Sequence, residues 1–226
     1  EETLANGLKI IFIDDPSLPK VSLNLLMKVG ALHEPKGLEG LNLMTVALLD
    51  QGSSSRNATQ IAEEFGQIGT EIFQSGQHDF SSVSVSGLST TKEKILELFI
   101  DVVMNPSFRQ DEIVRRRAQT LASLQQMVDN PGVYADKKMN AALFGDHPYA
   151  RSVLGTESGV NKIKRTDIIR HYFKYYRPNN SFLSVTGKLT PEFKDKVKQT
   201  FSLWQHKEID SATRVAPMDG DGNQIL

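Results

Sequence analysis

In 21-VSLNLLMKVG-30, Val21, Leu23, Leu25, Met27 and Val29 alternate with mostly polar neighbours, a period of two that marks a half-buried strand. The apolar run 8-LKIIFID-14 precedes it across the turn 15-DPSLP-19, so the two are expected to pair as a hairpin. A second hairpin is expected from 70-TEIFQS-75 and 79-DFSSVSVSGL-88. Phe80 falls out of register with Val83 and Val85 there, which predicts a bulge or an ill-defined strand edge. Another strand is predicted over 181-SFLSVTG-187.

Elsewhere the period lengthens to that of a helix. Segment 58-ATQIAEEFGQIG-69 gathers Ile61, Ala62, Phe65 and Ile68 on one face, with Asn57 to cap it and Gly69 to stop it. In 91-TKEKILELFIDVVMN-105, Ile95, Leu98, Phe99, Val102 and Val103 form the inner stripe and Pro106 ends it. Further helices are predicted from Asp111 to about Val128, over 131–145 with Pro131 in its first turn, over 166-TDIIRHYFKYY-176, and from the Thr190 cap and Pro191 onward. The segment 41-LNLMTVALLD-50 is unusual, because it is apolar round most of its circumference over only about three turns. Strands in hairpins and helices in runs give an α+β fold: an antiparallel β-sheet with helices layered on one face.

Composition narrows the function classes. The 226 residues carry 26 basic and 27 acidic side chains, a net charge of −1, and the triplet Arg115-Arg116-Arg117 is no nucleic-acid stripe. With no cysteine, disulfides, thiolate metal sites and a cysteine nucleophile are excluded. No apolar run reaches the ~18 residues of a transmembrane segment. One domain is expected over 1–210 and a linker over 211–226. The opening EETLANGLKI and the closing Ile225-Leu226 read as boundaries inside a longer protein.

Local chemistry is sparse. His33, His78, His147, His171 and His206 stand far apart with no pair at helical metal-ligand spacing, and Gly37 takes the second histidine position after His33-Glu34. Each histidine therefore reads as structural. The serine stretches 53–55 and 81–86 lack a nucleophile elbow, no glycine-rich phosphate loop occurs, and Asp79, Asp129 and Glu157 read as solvated turn carboxylates.

A longer pattern changes this picture. The segment 147-HPYARSVLGTESGVNKIKRTDIIRHYFKYYRPNNSFLSVTGKL-189 resembles the pitrilysin/insulinase family of zinc metallopeptidases in H-P-Y…G-T, in Y-Y-R-P-x-N and in V-x-G. Upstream, 6-NGLKIIF-12, 30-GALHEPKGLEGL-41 and 105-NPSF-108 resemble it in the same order. The resemblance covers nearly all of 1–205 and implies one family domain with a second further along. Active members carry H-x-x-E-H: two histidines hold zinc, the glutamate activates its water, and a later helix supplies a third, glutamate ligand. Anchored on Gly40 and Gly52, those positions fall on 43-LMTVA-47, so Leu43 and Ala47 replace the histidines and Val46 the general base. The third ligand position falls on Ser123.

The resemblance thus implies a non-catalytic subunit with no metal of its own, partnered by an H-x-x-E-H-bearing subunit that holds the zinc. Phe73 and Gln74, on the strand that pairs with peptide in active relatives, become the candidate substrate-binding residues, although Phe73 packing into the emptied site is an equal expectation. A scaffold subunit like the bc1 core proteins is the alternative, and a zinc endopeptidase working by another site a third. For a bacterial chain the resemblance implies periplasm rather than cytoplasm.

Overall fold

A computed structural model describes residues 1–145 and 147–209; the expected linker over 211–226 lies outside them. Six strands form one sheet: β1 (Glu2–Thr3), β2 (Lys9–Asp14), β3 (Lys20–Met27), β4 (Ile72–Gly76), β5 (Ser81–Leu88) and β6 (Ser181–Gly187), in the order β1-β2-β6-β3-β5-β4. Helices α1 (Leu41–Ala47) and α2 (Ala58–Gln67) lie between β3 and β4 in the chain. Between β5 and β6 run α3 (Lys92–Met104), α4 (Gln110–Asp129), α5 (Pro131–Phe144), α6 (Glu157–Lys162) and α7 (Arg165–Tyr175), and α8 (Pro191–Ser202) follows β6. The α+β class holds.

Two expectations about the sheet are corrected. β2 and β3 do not form a hairpin, because β6 lies between them, antiparallel to β3 and parallel to β2, which makes the sheet mixed. Leu183 and Val185 of β6 are fully buried and lie level with Ile10 and Phe12 on one side and with Leu25 and Leu23 on the other. β6 takes the central place beside β3, where neighbours on both sides shield it, and nearness in sequence loses. The β4–β5 hairpin forms, but β5 keeps an unbroken register with β3 from Ser81 to Leu88, so the bulge is absent. Phe80 fell out of phase because it sits in the turn before the strand, 38% exposed.

Alternation then sends Val21, Leu23, Leu25, Met27, Val83, Val85, Leu183 and Val185 to one face, where Leu96, Phe99, Val103, Phe193 and Phe201 of the helices join the same core. Burying each such side chain contributes ~1.5–3 kcal/mol, which holds the helices to that face alone. The expected caps are in place, with Asn57 and Gln60 forming a capping box and the Thr190 hydroxyl accepting from Phe193 N–H; Pro131 opens α5 as expected, and Asn130 adds a cap there that was not foreseen. The two-residue β1 and the six-residue α6 are too short to leave a periodic signal. No helix among the described residues is long and apolar enough to cross a membrane.

Candidate functional site

The apolar segment at 41–50 folds as two helical turns in α1 and then a tight turn, with Leu41, Met44, Val46, Leu48 and Leu49 all buried. Its entry is tightly built. Gly40 has φ +104°, and a Cβ there would meet Leu154 O at 2.8 Å; one on Gly155 would meet Glu39 O at 2.1 Å. The two motif glycines therefore let the loop after α5 press directly on the start of α1.

Glu34 stands at the same end. Its carboxylate accepts from Gly40 N–H at 3.1 Å and Asn42 N–H at 2.8 Å, filling the orphan donors of the first turn. Burial nevertheless pushes its pKa up to about 7, against the pull of those two amides; Glu39 adds to the rise and Arg151 opposes it.

Beneath α1 runs a buried polar chain. The neutral His171 ring donates from Nε2 to Asn42 Oδ1 at 3.2 Å, Asn42 Nδ2 donates to Ser81 Oγ at 2.9 Å, and Ser81 donates to Val29 O at 2.9 Å. Burial, with smaller contributions from His33 and Lys174, depresses the pKa of His171 to about 3 and keeps it uncharged. The chain ties α1, α7, β5 and the end of β3 together. Sequence patterning missed it because each partner lies far away in the chain; a buried Asn inside an apolar helix was the one available hint.

The positions inherited from the zinc motif can now be placed. Val46 is fully buried in the core, while Leu43 and Ala47 are half-buried. β4 lies against this helix: a Cβ on Gly76 would touch Leu43 Cδ1 at 3.2 Å. Ser123 is exposed on α4, and its hydroxyl donates to Gln119 O of its own helix at 3.1 Å. Leu43 and Ala47 have no lone pair to offer a metal and Val46 cannot take a proton, so this donor set does not fit zinc. Among the described residues no cluster of three His, Cys, Asp or Glu side chains could hold a metal ion.

Among the described residues β4 is the last strand of the sheet, so one row of its backbone donors and acceptors has no neighbouring strand there. Pairing with β5 sets Ile72, Gln74 and Gly76 level with the core positions Val85, Val83 and Ser81, which turns Gln74 toward the helices and Phe73 to the opposite face. Gln74 Nε2 is buried there without a hydrogen-bond partner among the described residues. Phe73 is 62% exposed, so the expectation that it packs into the emptied site is corrected: strand parity points it away. A groove of about 940 Å³ runs beside this strand, lined by Ile61, Ala62, Phe65, Ile72 and Phe73, with Arg115 among its polar walls.

Residues 9–157 match the family model described as insulinase (peptidase family M16), and 162–224 match that described as peptidase M16 inactive domain. An uncharacterized zinc protease of Rickettsia bellii is 30% identical over 189 residues, covering 84% of this chain and 46% of that protein. Cytochrome b-c1 complex subunit 1, mitochondrial, of Rattus norvegicus is 23% identical over 224 residues, 98% of this chain and 46% of that protein. The chain spans about half the length of these curated relatives. A crystal structure of a peptidase M16 inactive domain from Pseudomonas fluorescens superposes with a TM-score of 0.86 at 26% identity, over 92% of this chain and 51% of that one. A protease from Helicobacter pylori shares the fold with a TM-score of 0.85 at 20% identity, over 93% and 51%. The chain belongs to the insulinase family, peptidase family M16.

Proposed function

We propose that this chain is a non-catalytic peptidase-like subunit that helps hold peptide for an H-x-x-E-H-bearing partner, which carries the zinc. The observation that carries the reading is the loss of every donor at Leu43, Val46, Ala47 and Ser123 on an otherwise intact family fold. The free edge of β4 and the groove beside it support a role in binding. An extended peptide added to that edge gains main-chain hydrogen bonds, which need no particular side chain. Gln74, with its amide nitrogen unsatisfied, and the exposed Phe73 flank the edge on its two faces.

Mixing the purified protein with a homologue bearing intact H-x-x-E-H tests this. Alone, the protein is expected to show no peptidase activity and no stoichiometric zinc. The mixture is expected to cleave peptide faster or with lower KM than the homologue by itself. Unchanged kcat and KM on mixing would remove the reading. One zinc per chain in the protein alone would favour an endopeptidase instead.

A scaffold role is the second reading, favoured by the similarity to the rat bc1 subunit over 98% of the chain. It predicts a stable complex with a homologue and no effect on peptide cleavage.

A further inference from the structure

The face of the sheet turned away from the helices has a charge pattern that the core-side features leave unexplained. Register sets Lys9, Phe182, Leu26 and Ser82 in one row across β2, β6, β3 and β5. The polar members of the next two rows are hydroxyls and one amide: Ser184, Asn24 and Ser84, then Thr186, Ser22 and Ser86. Lys20 closes the face beside Leu88. No strand position on this face holds Asp or Glu, in a chain with 27 of them. The two strand carboxylates, Glu2 and Asp14, turn to the other face, where Lys198 and Lys194 pair with them at 3.5 and 3.3 Å.

Lys9 and Lys28 share one aromatic ring, with their Nζ atoms 5.7 and 5.2 Å from the Phe182 centroid. Lys9, Lys20 and Lys28 are exposed and pair with no carboxylate among the described residues. Gathering ammonium groups without a counter-charge raises the local positive potential, and the hydroxyls around them can donate to an anion as well.

We infer that this face receives an acidic, extended segment of polypeptide, so that the peptides the subunit holds are selected for carboxylate side chains. The inference rests on the peptide-holding reading and adds a substrate class to it. Lysines at two ends of a face, with rows of hydroxyls between them, suit separate carboxylates spaced along a chain. A nucleic acid would require a continuous basic stripe, which two lysines at one end of the face and one at the other do not make.

Fluorescence anisotropy on the full-length protein, with a short labelled peptide carrying several Glu and its Gln twin, tests the inference. Two or three exposed charge pairs are expected to make the Glu peptide bind about tenfold tighter at low salt, with the advantage fading as salt screens it. Lys9→Glu combined with Lys28→Glu is expected to abolish that preference, while an unchanged thermal midpoint shows that the fold is intact. Equal binding of the twins by the native protein overturns the inference and leaves the peptide-holding reading standing. Binding of neither peptide removes both. Tighter binding of a labelled oligothymidylate than of the Glu peptide also overturns the inference, in favour of a nucleic-acid surface.

Discussion

At the scale of the residue, Asn42 does the most to organise the site, since it accepts from His171 and donates to Ser81 while 1% exposed. Asn42→Ala would strand the His171 Nε2–H and leave the Ser81 hydroxyl without its donor in a dry interior. Leaving buried polar groups unpaired costs ~1–3 kcal/mol each, so a loss of about 2–4 kcal/mol is expected. Urea denaturation checks it, with Asn24→Ala on the exposed face expected within ~0.5 kcal/mol of the native protein. A loss below 1 kcal/mol for Asn42→Ala would mean that water or repacking satisfies the network. Single residues were the least legible part of the sequence. Leu43, Val46, Ala47 and Ser123 could be singled out only because a family motif assigns those places. His171 read simply as an isolated histidine, because its partner is 129 residues away. A contact of that separation leaves no periodic trace.

At the scale of the element, helices and the β4–β5 hairpin were legible, and the partner of β2 was not. The caps at Asn57, Asn130 and Thr190 are local chemistry, written within a few residues of each helix start. The place of β6 between β2 and β3 is a competition for the centre of the sheet, decided by burial of Leu183 and Val185 and invisible to any window. The register of α1 and α4 against each other was read from motif spacing alone, and it can be tested by restoring the ligands. Leu43 and Ala47 are four residues apart on one side of a helix and half-buried. The variant Leu43→His, Ala47→His, Ser123→Glu is expected to bind one zinc per chain. It should then gain about 2.7 kcal/mol of stability when free zinc is at a hundred times its Kd. Val46 is left in place, because a carboxylate in its fully buried position would cost stability for reasons unrelated to metal. If the variant stays folded and equilibrium dialysis finds no bound zinc, the assignment of Ser123 or of the α1 register is wrong.

At the scale of the whole molecule, two buried groups at opposite ends of the same helix-supporting network titrate against each other. Burial raises Glu34 from 4.5 to about 7, so the native state holds a proton over that window that the unfolded chain lacks; this contribution to stability is full below pH 4.5 and lost as pH rises through 7. His171 is depressed from 6.5 to about 3, so the unfolded chain holds the extra proton, and its contribution is full above pH 6.5 and lost as pH falls through 3. His33, also lowered by burial, adds in the direction of His171. Between about pH 4.5 and 6.5 the two main slopes, each ~1.4 kcal/mol per pH unit, have opposite signs and nearly cancel. Glu34→Gln removes one slope while its amide oxygen can still accept from the first turn of α1. The native protein is therefore expected to show a nearly level urea midpoint across this window, whereas Glu34→Gln loses stability steadily as pH falls from 6.5 to 4.5. His171→Asn should do the reverse and become more stable as pH falls from 7, because the Glu34 slope is then opposed by His33 alone of the two histidines. Parallel profiles for the native protein and Glu34→Gln would show that the carboxylate is ionised throughout, held so by Gly40 N–H, Asn42 N–H and Arg151 against the cost of its burial. In that case α1 would be anchored by a permanent charge, and acid would weaken the domain through His171 and His33 over this window.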